Sequence, residues 1–169
     1  LWGILYGILA AMAVYNFFLF LSLHDRAYLY LVGFIAAFSL LSLSTDGRGS
    51  RYLWPSHPEA RAIITVLGLG LTMAFLLLFS MAFLQTKTRT PRLHKVLTAL
   101  LVLALAGLFL LPIDHGRVTA MLELVFAILG VICIIAAGLV TWRQGYHPAR
   151  YFVIGQAAPY LLGIVAMAA

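Results

Sequence analysis

Charged residues are scarce in this sequence. Only 9% of its 169 residues are Asp, Glu, Lys or Arg, whereas 64% are hydrophobic, and a soluble domain normally carries about 25% charged residues. So few polar side chains cannot cover the surface of a water-soluble globule. The composition therefore excludes a soluble domain and indicates an integral membrane protein.

Acidic residues and cysteine are scarcer still. The chain has five Asp and Glu residues against eleven Lys and Arg, and the basic residues lie between apolar segments. That distribution is typical of loops that set membrane orientation, and it argues against nucleic acid as a partner. The single cysteine, Cys133, lies inside an apolar segment and cannot form an intrachain disulfide.

Motifs for catalysis and metal binding are also missing. The sequence has no HExxH, no GxSxG and no phosphate-binding glycine loop. Its five histidines lie in loops or at the ends of apolar segments, whereas an intramembrane serine protease would need one inside the bilayer. We therefore expect no catalytic residue, no metal site and no cofactor in this chain, although a longer parent protein could carry a catalytic domain.

Long apolar segments dominate what is present. A helix of about 20 apolar residues, rising about 1.5 Å per residue, crosses a hydrocarbon core about 30 Å thick. The runs do not alternate with period two, as the strands of a membrane barrel do. The sequence predicts an all-α, polytopic transmembrane helix bundle that forms one domain over residues 1–169. Its six spans are Leu1–Leu23, Tyr28–Thr45, Ala62–Leu84, Val96–Ile113, Val118–Val140 and Tyr151–Ala169.

The connections between these spans alternate in charge. His24–Ala27, Gln85–Lys95 and Thr141–Arg150 together hold seven basic residues and one acid, whereas Asp46–Arg61 and Asp114–Arg117 hold four basic residues and three acids. Short loops rich in Lys and Arg stay in the cytoplasm. We therefore predict that the first set is cytoplasmic and that both ends of this chain are extracytoplasmic.

Three polar residues within the spans need an explanation. A side-chain amide in hydrocarbon needs a partner, so we expect Asn16 and its neighbour Tyr15 to pack inside the bundle, with Asn16 in an interhelical hydrogen bond. Glu123 is the only ionisable residue well inside a span, which makes it a functional hypothesis by default. Because it lies within two turns of Arg117, contact with headgroups or with an outer-loop arginine is an alternative to a proton or ion relay.

A series of short motifs along the chain resembles a known family. The motifs are Tyr6-Gly7, Tyr15-Asn16, Asp25-Arg26, Tyr28-Leu29-Tyr30, Arg51–Pro55, Phe83-Leu84 with Thr90–Leu93, and Arg143–Tyr146 with Pro148–Tyr151. In this order, they are similar to the motifs in the membrane module of the bacterial seven-transmembrane receptors with diverse intracellular signalling modules. The chain departs from the family in showing six spans rather than seven, which fits a fragment that lacks the last span.

The resemblance implies a multi-pass module of a bacterial inner-membrane receptor. Such a module couples an extracytoplasmic sensory domain, often of a β-rich carbohydrate-binding type, to a cytoplasmic histidine kinase, diguanylate cyclase or phosphatase. Its partners would be the lipid bilayer and its own sensory and output domains, both outside this chain. Gly3, Gly7 and Ala11 lie four residues apart and would let another helix approach closely, which leaves a homodimer open.

Position along the chain suggests two functional surfaces. The predicted input surface comprises Arg51, Tyr52, Trp54, His57 and Glu123, and the predicted cytoplasmic coupling surface comprises Arg26, Arg92, Arg143 and Arg150. A small-solute transporter or channel is the alternative function. It would need a path lined by polar side chains, for which the spans offer mainly Asn16, Thr65, Thr72, Ser80, Glu123 and Gln156.

Overall fold

Helices make up nearly all of the described chain. The structure, a computed structural model, describes residues 2–46, 58–109 and 117–156, and no strand occurs among them. The predicted all-α class is confirmed. In chain order the helices are α1 (Trp2–Leu23), α2 (Arg26–Thr45), α3 (Pro58–Phe83), α4 (Thr86–Arg89), α5 (Pro91–Leu108), α6 (Arg117–Arg143) and α7 (residues 148–156).

Five of these helices are long and apolar enough to cross a membrane, namely α1, α2, α3, α5 and α6. They correspond to the first five predicted spans. The described part of α7 covers the start of the sixth, Tyr151–Ala169, of which residues 157–169 lie outside the described part of the chain. The protein is therefore a multi-pass membrane protein.

The main difference from the predicted boundaries lies around Pro91. The sequence predicts a loop up to Lys95 and a span over Val96–Ile113, whereas α5 begins at Pro91 and ends at Leu108. Proline suits the first position of a helix, because no N–H donor is needed there. Basic side chains in the first turns can also reach water while their methylene groups stay on apolar surface. A search for uncharged runs therefore starts this span too late.

Helix α3 is the centre of the bundle. It packs against α2 and also against α5 and α6. Its residues Met73 and Leu77 belong to the buried core that also includes Leu97 of α5 and Ile134 of α6. Any displacement of α3 would therefore be felt by three neighbouring helices at once.

Helices α2 and α3 form a close antiparallel seam. The hydroxyl oxygens of Ser44 and Thr65 lie 2.6 Å apart. One turn along, a Cβ added to Gly68 would lie 3.1 Å from the Cα of Leu41, and a Cβ added to Gly33 would overlap a phenylalanine ring of α3. Small residues let the backbones of membrane helices approach closely. The two glycines thus set the spacing of this seam.

Helix α1 lies at the edge of the described bundle. Its packing is against α2, and many of its large apolar side chains, including Ile4, Val14 and Phe18, are exposed. In a bilayer such a surface faces lipid chains, which are as apolar as leucine. The position of α1 therefore fits a lipid-facing helix.

Candidate functional site

Glu123 is a fully buried carboxyl group between α5 and α6. Opposite it lies Gly107, where an added Cβ would be 3.1 Å from the Oε1 atom of Glu123. Among the residues that the structure describes, neither carboxyl oxygen has a hydrogen-bond partner. The absence of a side chain at position 107 therefore makes the room that this carboxyl group occupies.

An unpartnered carboxyl group inside a membrane protein is costly. Burying a polar group without a hydrogen bond costs roughly 2–7 kcal/mol, and ionisable residues inside spans mark functional sites by default. Thr119, one turn earlier on α6, is also fully buried. The Glu123 carboxyl group therefore lacks a hydrogen-bond partner within the described residues.

A second candidate lies at the end of the bundle that carries most of the basic residues, called here the basic end. It consists of the His24-Asp25 turn, the connection through Gln85 and α4, and the connection over residues 144–147. Each of the three turns contains a residue with positive φ: 55° at His24, 49° at Gln85 and 87° at Gly145. These sharp turns keep the connections short and hold the helix ends close together.

One cavity of about 200 Å³ joins the three connections. Its polar lining residues are Asp25 in the first connection, Tyr28 in α2, Gln85 in the second connection and Tyr146 in the third. Asp25 also caps α2, because its Oδ1 accepts a hydrogen bond from the backbone N–H of Ala27 at 2.9 Å. The basic end is therefore a single cluster.

Direct contacts hold this cluster together. The guanidinium carbon of Arg89 lies 4.3 Å from the centre of the Tyr146 ring, a cation–π geometry. The buried Thr86 places its Oγ1 atom 3.0 Å from Nδ1 of His94, which ties α4 to α5. The second connection is thus fixed both to the third connection and to the helix that follows it.

The family comparison decides what kind of module this is. A family model described as 7TM diverse intracellular signalling matches residues 1–169. The chain belongs to this family. Searches of curated proteins and of solved structures found no match. The match confirms the resemblance drawn from the sequence motifs, and it identifies a receptor-type transmembrane signalling module. Modules of this family are membrane sensing domains rather than catalytic ones.

All four predicted coupling residues of this 7TM signalling module are exposed near the basic end. Arg26 begins α2, Arg92 lies in the first turn of α5, and Arg143 ends α6. Arg150 lies in α7, where its Nη2 atom donates a hydrogen bond to the hydroxyl oxygen of Tyr151 at 2.5 Å. The four arginines therefore lie at or near the ends of four different helices.

The two residues predicted to pack inside the membrane part of the 7TM module, Tyr15 and Asn16, differ in burial. Asn16 is buried, and its Nδ2 atom donates to the carbonyl oxygen of Met12, one turn earlier in the same helix, at 2.8 Å. Tyr15 is 63% exposed on α1. The amide of Asn16 thus has an intrahelical partner where the sequence predicts an interhelical one, and Tyr15 lies on the outer surface of the described bundle.

Glu123 is the one residue of the predicted input surface that lies within the described part of the chain. Arg51, Tyr52, Trp54 and His57 lie outside the described residues, so only Glu123 of that set has a position. No group of three His, Cys, Asp or Glu side chains in the described ranges is arranged to hold a metal ion. The predicted surface stays a prediction.

Residues that sequence reasoning missed are the ones that join the connections. Gln85 and Arg89 belong to none of the motifs, and Tyr146 belongs to one only as the last residue of Arg143–Tyr146, with no role assigned to it. Arg89 and Tyr146 are far apart in the chain, so no spacing rule predicts their stacking. The only available signal was the presence of both in short loops assigned to the same side of the membrane.

Proposed function

We propose that this 7TM module transmits a signal across a bacterial inner membrane, from an extracytoplasmic sensory domain to a cytoplasmic output domain such as a histidine kinase, diguanylate cyclase or phosphatase. The observation that carries the proposal is the shared cavity at the basic end, where Asp25, Gln85 and Tyr146 bring three connections together. A change in the packing of α3 alters the ends of several helices at this one cluster. The cluster is therefore suited to report helix movement to an attached domain.

The basic end is assigned to the cytoplasm by its charge. The full connections at this end, His24–Ala27, Gln85–Lys95 and Thr141–Arg150, carry seven Lys and Arg residues with one acid, Asp25. Short loops of this composition remain in the cytoplasm. The end of α2 at Asp46 then faces the extracytoplasmic side. This orientation puts the sensory input near the loop that contains Arg51 and Trp54.

Cysteine labelling tests the orientation. In a Cys133→Ala background, Asp46→Cys is expected to react with a membrane-impermeant maleimide in intact spheroplasts, whereas Thr88→Cys is expected to react only after lysis. Both positions are exposed in the structure, so equal labelling of the two variants in lysed membranes is the control. The reverse pattern would place the basic end outside and remove the basis for cytoplasmic coupling.

The proposed mechanism needs two helix arrangements with different affinities for the input. Helix α3 can carry the change, because it contacts α2 through the Ser44–Thr65 hydroxyl pair and packs on α5 and α6 through the core. At the basic end, the aromatic side chains of Phe79 and Phe83 of α3 line the shared cavity. A small shift of α3 would therefore change the position of the connections.

Charge reversal tests the coupling surface. In the full-length protein, the double substitution Arg143→Glu and Arg150→Glu is expected to change the ratio of stimulated to unstimulated output by about fivefold or more, the lower range of allosteric coupling. Lys87→Glu is the matched control, since it reverses an exposed charge at the same end outside the predicted surface. Normal insertion with an unchanged output ratio would remove Arg143 and Arg150 from the mechanism.

The transport alternative is less well supported by the polar side chains. Thr72 and Ser80 of α3 donate hydrogen bonds to carbonyl oxygens one turn earlier in their own helix, at 2.6 and 2.7 Å, and Asn16 does the same in α1. Groups satisfied in this way do not form a polar path between helices. Solute accumulation in liposomes that is lost in Glu123→Gln would favour transport instead.

A further inference from the structure

A second cavity at the basic end has the features of an anion site. It has a volume of about 330 Å³ and lies between the start of α5 and the end of α6, and its lining includes Thr90, Arg92 and Gln144. A single water molecule occupies about 30 Å³ of liquid, so the cavity can hold a larger group. It is separate from the cavity around Asp25, which shares none of its lining residues.

The first turn of α5 has backbone N–H groups that can donate hydrogen bonds to a ligand. Pro91 occupies the first turn and has no N–H, and no side chain caps this helix start. Arg92 and Leu93 carry the next backbone N–H groups, which have no partner within a helix. A threonine before a helix normally accepts a hydrogen bond from one of these groups. Here the helix start is uncapped and carries the positive end of the dipole of an 18-residue helix.

Thr90 gives a second, independent indication. The residue is only 6% exposed, it lines the cavity, and its Oγ1 atom has no hydrogen-bond partner among the described residues. A buried hydroxyl without a partner costs about 1–3 kcal/mol. A bound anion that accepts the hydroxyl proton in a hydrogen bond would remove that cost.

Charge around the cavity has one sign. Arg89 and Arg92 line it, and none of its described lining residues is acidic. Arg89 is held in place by the Tyr146 ring at 4.3 Å and by Gln85, whose Oε1 atom lies 3.5 Å from Nε of the arginine. An arginine positioned in advance loses less conformational entropy when it binds an anion.

The apolar side of the cavity indicates the source of the anion. Leu93 and Val140 complete the lining, and both lie on helices that cross the membrane. The cavity thus lies where the spans end, at the level of lipid headgroups, beside helix surfaces that acyl chains can cover. Basic pockets between membrane helices are typical sites for anionic headgroups.

We propose that the start of α5 binds the phosphate group of an anionic phospholipid through Thr90, Arg92, Arg89 and the free backbone N–H groups of the first turn. The acyl chains of this lipid lie along α5 and α6. The site goes beyond the signalling role and does not depend on which side of the membrane the basic end faces. A soluble phosphate ion could make the same contacts as the lipid headgroup, and a competition experiment distinguishes the two ligands.

Lipid titration of the full-length protein in a non-ionic detergent tests the site. Native mass spectrometry with added phosphatidylglycerol is expected to give saturable binding of one lipid, with weaker binding of phosphatidylcholine. Thr90→Val and Arg92→Gln are each expected to raise the Kd for phosphatidylglycerol by about tenfold. Thr90→Ser restores the hydroxyl group and is expected to restore the affinity.

Matched controls separate this site from general surface charge. Thr88→Val and Lys87→Gln make the same chemical changes at exposed positions of α4 and are expected to leave the Kd unchanged. Equal losses in the site and control variants would overturn the proposal, as would equal binding of the two lipids. If millimolar inorganic phosphate displaces the bound lipid, the cavity is a site for a soluble anion and the lipid proposal is overturned. If a folded Thr90→Val variant keeps the full affinity for phosphatidylglycerol, the Thr90 hydroxyl group does not bind the lipid.

Discussion

Replacing Gly68 with leucine is expected to force α2 and α3 apart and to destabilise the module by about 1–3 kcal/mol or more, the usual range for overpacking. A Cβ at this position would meet backbone atoms of Leu41 at 3.1–3.2 Å. Backbone atoms cannot move aside as a flexible side chain can, so the whole helix must shift. The same shift would lengthen the 2.6 Å contact between the hydroxyl groups of Ser44 and Thr65.

Thermal unfolding of the purified module in detergent measures this effect. Gly7→Leu in α1 is the matched control, because a Cβ at Gly7 meets no atom within 4 Å among the described residues. We expect Gly7→Leu to unfold near the wild-type temperature and Gly68→Leu to unfold several degrees lower. Equal unfolding temperatures for the two variants would contradict the close seam between α2 and α3.

Replacing Glu123 with methionine is expected to stabilise the module while impairing its response to signal. The carboxyl group is fully buried and has no hydrogen-bond partner among the described residues. Removing an unsatisfied polar group and filling its volume with an apolar side chain should gain about 1–3 kcal/mol. A residue that lowers stability in this way is typical of a functional position.

A double-mutant cycle checks the geometry at this position. Gly107→Ala would place a methyl group 3.1 Å from Oε1 of Glu123, so it should destabilise the wild-type protein. In a Glu123→Ala background the same substitution has room, and its cost should fall by about 0.5–3 kcal/mol. Additive effects would refute the contact. A loss of stability in Glu123→Met would contradict the prediction that this carboxyl group is unsatisfied.

Several features follow from the sequence through strong physical constraints. A backbone in hydrocarbon must satisfy its own hydrogen bonds, so apolar runs of sufficient length form helices. This is why the all-α class and the first five spans could be predicted. The error at Pro91 arose because the search treated charge as the end of a span, whereas a helix end can carry Arg92 and Lys95 into the interface.

The candidate sites were predictable only in part. Glu123 could be singled out because an ionisable residue inside a span is unusual, and Asn16 because its amide needs a partner. The chemistry of these two side chains does not predict which hydrogen-bond partner each of them has in the fold. A carbonyl one turn away satisfies Asn16, and the described residues leave Glu123 without one.

The sequence by itself determined the membrane class, the helical fold, the alternating charge of the connections and the family. Only the tertiary structure decided that α3 is central and α1 peripheral, and that Arg89 stacks on Tyr146. The physical reason is that lipid and protein interior are equally apolar. Hydrophobicity therefore brings each helix into the membrane but does not determine which of its faces meets another helix, and that choice depends on the close fit of small residues such as Gly68 and Gly107.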